Sequence, residues 1–529
     1  MANSKLFVVA GLAAWFLTFL LGFFILAPST DDGYYVIASM GTALNGIPGF
    51  WIGNEFAPSF FLPTAFPFLY GILLKLTMIL GFDFGPFGFR FYQFLFILLL
   101  PVGSGLMLRR LFPGDHAIRL LVFLTLLSVT YFVQSAATVR PEVLGALLFI
   151  TFLALHETRV QRFELPTFVL AVGGTVHPVF TLLAFAVFGV GLIRRYQRFG
   201  FSNLRRWIGA AVAFGLPFAV LVIYYAINLD EYRQQIQGRT TILSTDILVP
   251  PAFIWDNLLF WNDPAGIDFG LYAGYPAFGF LSIMLVSTAL VIYRRRQLWA
   301  HESLWLALPV VLVQWVVFLG LPTYLPYLAV SSFLGSLVIV LLWPRQFLRL
   351  SSTRLKWAFV VGCVGLSLVF IAFHAVKFVL ISDDRLTPSG LHSVMTPLLE
   401  DGETKLYTNA ARLIPPLIDN FSEDGDIRLN FIYLDPDCLP PHLMERANEH
   451  AMTALANSAD GNSLWGFNTG PSNRDSTLTA DSARSIVTKG SQTTVTLIPS
   501  EVVYSDSKNL ITRVSSVVVK LDEGVLCEQ

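Results

Sequence analysis

Long apolar runs recur through the first 381 residues of the chain. The first run, Leu6 to Ala27, has no charged residue and is long enough to cross a bilayer as a helix. Later runs cover Pro63 to Gly81, Phe87 to Leu108, Ile118 to Val133, Val143 to Leu155, Leu165 to Ile193, Ile208 to Ile227, Ala277 to Tyr293, Leu304 to Gly320, Leu325 to Trp343 and Trp357 to Ile381. The pattern predicts about ten to thirteen transmembrane helices.

Two polar interruptions divide longer apolar stretches into hairpins. The stretch from Leu165 to Ile193 is broken by Gly173-Gly174-Thr175-Val176-His177-Pro178, which predicts two short helices with a turn at His177-Pro178. The stretch from Ile118 to Leu155 is broken before Pro141, which predicts a second hairpin with Arg140 and Glu142 at its turn. Tyr34 to Gly53 is predicted as a helix along the membrane surface followed by a loop.

The composition is that of a membrane protein, and the distribution of charges predicts how the protein is oriented in the membrane. Only 13% of the residues are charged, against roughly 25% in soluble proteins, so this is a polytopic α-helical membrane protein. Basic groups flank several runs and are predicted to be cytoplasmic: Arg194-Arg195, Arg205-Arg206, Arg294-Arg295-Arg296, and Arg345, Arg349, Arg354 and Lys356. This orientation puts residues 28–62 and 228–276 in external loops, while the side of Arg90 stays open.

The composition becomes that of a soluble protein from Ser382 onward. Strands are predicted at Lys405 to Thr408, Ile427 to Leu434, Val495 to Tyr504 and Leu510 to Leu521, and helices at Ala411 to Ile418 and Leu443 to Ala456. We therefore expect a membrane domain at residues 1–381 and a small mixed α/β extracytoplasmic domain at residues 382–529. Cys438 and Cys527 form a disulfide there or remain two thiols; both interpretations stay open.

The candidate chemistry lies in polar residues that the orientation places on one membrane face. A carboxylate accepts a proton from an attacking hydroxyl, and a cation stabilises a leaving phosphate. The set therefore suits glycosyl transfer from a lipid phosphate. Taken singly, each member also fits a solvated loop charge or a structural turn, and only the combination points to a site. Its members are Asp31, Asp32, Glu55, Arg140, Glu142, His177, Arg233 and Arg239.

These residues resemble a known superfamily. A first span followed by Asp31-Asp32-Gly33-Tyr34-Tyr35 looks like the membrane glycosyltransferases of the GT-C superfamily. Together with Glu55-Phe56-Ala57-Pro58-Ser59-Phe60 and Arg140-Pro141-Glu142, it is similar to the Emb-type arabinosyltransferases of actinobacteria. The chain departs from that family at Thr175-Val176-His177-Pro178 and in its shorter C-terminal part. Protein-O-mannosyltransferases and aminoarabinose transferases share the acidic first loop.

The resemblance implies a GT-C fold and a role for each matching residue. Asp31 would be the general base, and Asp32 and Glu55 would position sugar hydroxyls or the acceptor. Arg140, with His177 or Arg239, would bind the phosphate of a polyprenyl-phosphate sugar, and Glu142 belongs to the same turn. The reaction would invert the anomeric carbon on the outer face of a bacterial cytoplasmic membrane. The acceptor would be a glycan, a lipid or an exported protein such as a pilin.

Several alternatives remain open at this point. The sugar is arabinofuranose, or a hexose such as mannose, or aminoarabinose. The acidic pair also suits a divalent cation, but a lipid monophosphate donor has no pyrophosphate to neutralise, so we expect no required metal or other cofactor. A lipid-linked sugar flippase is the non-enzyme alternative, and a C-terminal recognition module with a membrane anchor is a third. We expect no nucleic-acid partner.

Overall fold

The computed structural model describes much of the chain, in two compact units. The first unit comprises residues 1–22, 93–227 and 243–376, and the second comprises residues 23–92, 228–242 and 377–529. Within them the described residues are 16, 20, 23–24, 30–52, 55–60, 64–81, 85–111, 139–158, 163–200, 204–233, 281–298, 304–320, 325–342, 388–399, 405–408, 415, 429–431, 463–468, 486–489, 493–505 and 509–521.

The second unit begins with two packed helices and a hairpin. Helix α1 (Thr30–Asn45) carries the acidic pair in its first turn and ends before Gly46, whose φ of 81° favours glycine. Strands β1 (Gly49–Ile52) and β2 (Glu55–Pro58) then pair antiparallel, with Ile52 opposite Glu55. The helix of the prediction is present, and the segment after it, predicted as a loop, forms a strand instead, because the run Phe50-Trp51-Ile52 has the aromatic and β-branched residue types that favour strands. Helix α2 (Ala65–Ile79) packs against α1.

A membrane-length helix follows α2. A 3₁₀ turn at Gly85–Arg90 leads into α3 (Phe91–Leu111). In the described part of the chain, the helices long and apolar enough to cross a membrane are Phe87–Leu111, Pro178–Gln197 and Leu204–Ile227. Shorter apolar helices accompany them, and the polytopic membrane class is thereby supported. The total of ten to thirteen spans stays a prediction, since the first run lies mostly outside the described residues and the runs at 118–133 and 357–381 lie wholly outside them.

The first unit contains the two interrupted stretches. Helices α4 (Pro141–Thr158), α5 (Glu164–Val176), α6 (Pro178–Phe199) and α7 (Leu204–Ile227) follow one another, and α5 packs against the other three. The predicted hairpin with its turn at His177 is confirmed, although α6 is a long helix rather than a short one. The hairpin predicted before Pro141 is described only in its second half, α4.

Basic side chains gather at one end of this helix group. Arg110, at the end of α3, donates to the carbonyl of Ala154 near the end of α4. The Arg195 guanidinium lies 5.4 Å from the centre of the Phe163 ring at the start of α5, and Gly209 of α7 lies against the side chain of Glu164. Arg140 and His177 occupy the other ends of α4, α5 and α6, about 27 Å away along an 18-residue helix.

Three further helices complete the described part of the first unit. They are α8 (Leu281–Tyr293), α9 (Ala307–Gly320) and α10 (Leu325–Leu342), with short helical turns at Arg295–Leu298 and Leu304–Leu306. Buried Gln314 of α9 accepts a hydrogen bond from Ser287 at 3.0 Å and donates to the Ser331 carbonyl at 2.8 Å. Such polar bonds join helices that have no hydrophobic drive to associate in lipid.

The C-terminal part of the second unit holds one helix and a sheet. Helix α11 (Pro388–Leu399) contacts the 3₁₀ turn at Gly85–Arg90. The sheet has the order β4-β3-β5-β8-β7-β6; β3 is parallel to β4 and β5, and the remaining pairs are antiparallel. Its strands are β3 (Lys405–Thr408), β4 (Leu429–Phe431), β5 (Ser463–Asn468), β6 (Ile486–Lys489), β7 (Thr493–Ser505) and β8 (Asn509–Leu521).

Strands β3, β4, β7 and β8 were expected from the sequence, whereas β5, β6 and α11 were not. The predicted helices at 411–418 and 443–456 and the cysteines Cys438 and Cys527 fall outside the described residues, apart from residue 415. A separate extracytoplasmic α/β domain at residues 382–529 therefore stays a prediction.

Candidate functional site

The acidic pair begins helix α1, and its second member is fully buried. The Asp32 Oδ2 atom lies 3.2 Å from Arg90 Nη2, and both side chains have 0% of their surface exposed. The backbone of Asp31 is in the same helical turn, while its side chain is outside what the structure describes. A buried carboxylate is costly unless a cation compensates it, and Arg90 is that cation.

Neighbouring groups hold Arg90 in place. Its Nη1 atom donates to the carbonyl of Phe23 at 3.4 Å, and its guanidinium carbon lies 4.9 Å from the centre of the Phe89 ring. The Tyr70 hydroxyl of α2 donates to the carbonyl of Phe89 at 2.6 Å. The 3₁₀ turn that presents Arg90 is therefore tied to α2, and α2 in turn packs against α1.

A second polar cluster lies in the first unit, where α4, α5 and α6 have their ends. Arg140 precedes α4, and its Nε atom donates to Glu142 Oε1 and Oε2 at 3.2 and 3.4 Å. The Nε2 atom of His177 lies 3.8 Å from the same Oε1 atom. The Glu142 and His177 side chains are nearly fully buried, whereas 16% of the Arg140 side chain is exposed. Arg140 is therefore the member that an anion would meet first.

The imidazole of His177 is neutral and has one defined tautomer. Its Nδ1 atom accepts a hydrogen bond from the backbone N–H of Val179 at 3.2 Å, so the ring proton is on Nε2, on the side of Glu142. Burial and the neighbouring Arg140 lower the pKa of His177 to about 3. At neutral pH the cluster therefore has one positive group, Arg140, and the His177–Glu142 contact is not an ion pair.

The other predicted site residues are described only in part. Glu55 is the first residue of β2, but its side chain is outside the described set, and Arg239 is outside it altogether. Arg233 is exposed just after α7, next to Tyr232, whose ring lies 5.7 Å from that of Phe60. Arg140, Glu142 and His177 do meet, as their positions at two predicted turns suggested. The union of all these residues in one site stays a prediction.

Arg90 is the residue that sequence reasoning missed. The orientation that the charges predict leaves open the membrane side on which Arg90 lies. A single arginine within an apolar stretch, Phe84 to Leu108, needs a carboxylate partner in a membrane protein, and this requirement could have directed the search to the acidic pair.

The fold is similar to that of ArnT, a protein with the GT-C fold. Over 97% of both chains, the protein matches the crystal structure of apo ArnT from Cupriavidus metallidurans, with a TM-score of 0.51 and 15% identity. It matches ArnT bound to undecaprenyl phosphate with a TM-score of 0.50 and 14% identity, over 97% of this chain and 98% of that one. ArnT is an aminoarabinose transferase with the GT-C fold.

A more distant match is the archaeal oligosaccharyltransferase AglB from Archaeoglobus fulgidus, in complex with an inhibitory peptide and a dolichol-phosphate. It has a TM-score of 0.44 and 12% identity, over 87% of this chain and 69% of that one. No protein-family profile and no curated protein sequence matches the chain. The expected GT-C fold is confirmed by the ArnT structures, and the closer resemblance to the Emb type is not.

Proposed function

We propose that the protein is an inverting glycosyltransferase that takes its sugar from a polyprenyl phosphate. The observation that carries the proposal is the match to ArnT over nearly the whole chain, which includes the undecaprenyl-phosphate complex of ArnT. We assign the base to Asp31, in the first turn of α1, and the contact with the phosphate to the partly exposed Arg140. The lipid bilayer and a polyprenyl-phosphate sugar are the proposed partners.

The proposed step balances without any further reagent. Asp31 takes the proton of the acceptor hydroxyl, whose oxygen forms a bond to the anomeric carbon from the face opposite the phosphate. The bond between the anomeric carbon and the phosphate oxygen breaks, and polyprenyl phosphate leaves as an anion that Arg140 binds. The phosphate is a good leaving group, so the demands are alignment and charge stabilisation rather than a metal.

The donor sugar separates two forms of the proposal. The Asp31-Asp32-Gly33-Tyr34-Tyr35 and Arg140-Pro141-Glu142 sequences support arabinofuranose, and the ArnT fold supports aminoarabinose equally well. Mannose or another hexose is the third candidate. The acceptor is a glycan, a lipid or an exported protein, and the reaction is assigned to the outer face of a bacterial cytoplasmic membrane.

The test is transfer by purified protein in detergent, with a panel of polyprenyl-phosphate sugars and simple glycan, lipid and peptide acceptors. We expect the wild-type protein to release polyprenyl phosphate from one donor of the panel. Asp31→Asn should abolish release and keep donor affinity. The matched control Asp230→Asn changes an exposed carboxylate after α7 and should retain activity.

Arg140→Ala tests the phosphate role separately. Loss of a charged hydrogen bond to the donor should weaken its affinity about tenfold to one-hundredfold. Unchanged donor affinity in Arg140→Ala would reject that role, and full turnover by Asp31→Asn would reject Asp31 as the base. Uptake of lipid-linked sugar into vesicles without release of polyprenyl phosphate would favour the flippase alternative and overturn the proposal.

A further inference from the structure

The Asp32–Arg90 pair lies at the start of helix α1. Asp32 is in the first turn of α1, and Arg90 ends the 3₁₀ turn before α3. The two residues are 58 positions apart in sequence, and their side chains meet at 3.2 Å with no exposed surface. This contact is therefore a tertiary link that fixes one helix end against another.

Complete burial restricts what Asp32 is able to do. A substrate hydroxyl cannot reach a carboxylate that has no exposed surface, so Asp32 in this arrangement neither takes the acceptor proton nor binds a sugar. The guanidinium compensates the charge of the buried carboxylate, and loss of either partner would leave an uncompensated buried charge. The two neighbouring aspartates therefore have different roles: Asp32 pairs with Arg90, and Asp31 is the proposed base.

Arg90 is braced from several directions. Its second nitrogen is bonded to the Phe23 carbonyl, Phe89 lies under its guanidinium, and Tyr70 holds the Phe89 carbonyl. Helix α11 contacts the 3₁₀ turn, and its residues Leu391 and Met395 are buried. Hydrogen bonds and packing of this kind hold a side chain in one position, as the geometry of an active site requires.

We propose that Arg90 is a positioning residue of the transferase: it keeps Asp32 ionised and fixed, and through Asp32 it sets the first turn of α1 so that Asp31 receives the acceptor proton. The proposal rests on the proposed function for its catalytic part. Its electrostatic part, the ionised state of Asp32, is measured without any turnover.

The electrostatic test is infrared spectroscopy at neutral pH on purified protein. Arg90→Met keeps an unbranched apolar side chain and removes the charge, so Asp32 should take up a proton and show the band of a protonated carboxylic acid. The band should be absent in wild type, in Arg90→Lys and in Arg90→Met/Asp32→Asn; the last variant assigns it to Asp32. A lack of the band in folded Arg90→Met would overturn the proposal.

The catalytic test compares kcat per folded protein with the affinity for donor. Arg90→Met should lower kcat at least about 100-fold, as expected for a misplacement near 1 Å, and change donor affinity less than about threefold. Arg90→Lys should recover part of kcat. The control Arg109→Met removes an exposed arginine from the other end of α3 and should keep kcat.

The outcomes test the positioning role of Arg90 and the ionised state of Asp32 separately. Full kcat in Arg90→Met, with the carboxylic acid band present, would overturn the positioning role and leave the charge pair as structural. If wild type transfers no sugar from any donor, the proposed function fails, and the catalytic part of this proposal fails with it. The infrared band still decides whether Arg90 keeps Asp32 ionised.

Discussion

His177 links two helices through a single residue. It ends α5 and begins α6, and its Nδ1 atom caps the new helix by accepting the N–H of Val179. Burial and Arg140 lower the pKa of the imidazole from 6.5 to about 3, so the folded protein keeps it neutral where an unfolded chain would protonate it. This residue therefore couples protein stability to pH.

The sign of that coupling follows from the two pKa values. Above pH 6.5 both states hold a neutral histidine, and His177 adds no pH dependence. As the pH falls from 6.5 toward 3, the unfolded state binds a proton that the folded state does not, and the free energy of unfolding decreases by about 1.4 kcal/mol per pH unit. Chemical unfolding in detergent at pH 7.5 and pH 4.5 measures the decrease, expected at about 2 to 3 kcal/mol from this residue.

The matched variant for this experiment is His177→Asn. Asparagine also caps helix N-termini but does not titrate, so the loss of stability between the two pH values should shrink by that amount. Equal losses in wild type and His177→Asn would show that His177 is not buried neutral in the folded protein.

At the scale of elements, the position of the acidic pair depends on how closely α1 and α2 approach. Gly71 of α2 lies directly against the Ser39 carbonyl and the Thr42 side chain of α1. A Cβ atom at position 71 would overlap both groups, so the helices would have to separate. Since α1 carries Asp31 and Asp32, separation would also displace the proposed catalytic turn.

We therefore expect Gly71→Ala to destabilise the protein by about 1 to 3 kcal/mol and to lower kcat per folded protein. Gly189→Ala in α6 is the control, because an added Cβ there meets nothing within 4 Å and alanine favours helix. Thermal unfolding and turnover of the two variants side by side measure the difference. Equal behaviour of both alanine variants would show that α1 and α2 tolerate separation.

A single sequence predicts an element boundary when one local signal marks that boundary. The break at His177-Pro178 was predictable because proline removes a backbone donor inside an apolar run. The β1–β2 hairpin was missed because its four-residue strands are too short to show an alternating pattern. The Asp32–Arg90 pair was missed because it joins residues 58 positions apart, and a single sequence contains no signal of which distant charge is the partner.

At the scale of the molecule, the first unit has two chemically different ends. Exposed arginines at the end of α3 and the start of α7 share one end, and Arg140 with His177 lies at the other. From the positive-inside rule we predict that the basic end is cytoplasmic and that the Arg140 cluster is external. The proposed reaction depends on this assignment, since lipid-linked sugars and exported acceptors meet outside the cytoplasm.

Helix α7 offers a direct test, because its 24 residues are long and apolar enough to cross the membrane and exposed side chains flank its two ends. With the native Cys363, Cys438 and Cys527 replaced by serine, a single cysteine is introduced by Arg205→Cys or by Asp230→Cys. A membrane-impermeant maleimide should label the Asp230→Cys protein in intact cells and the Arg205→Cys protein only after permeabilisation. Labelling in the reverse order would place the Arg140 end in the cytoplasm, where a nucleotide-activated donor rather than an external lipid-linked sugar would be within reach.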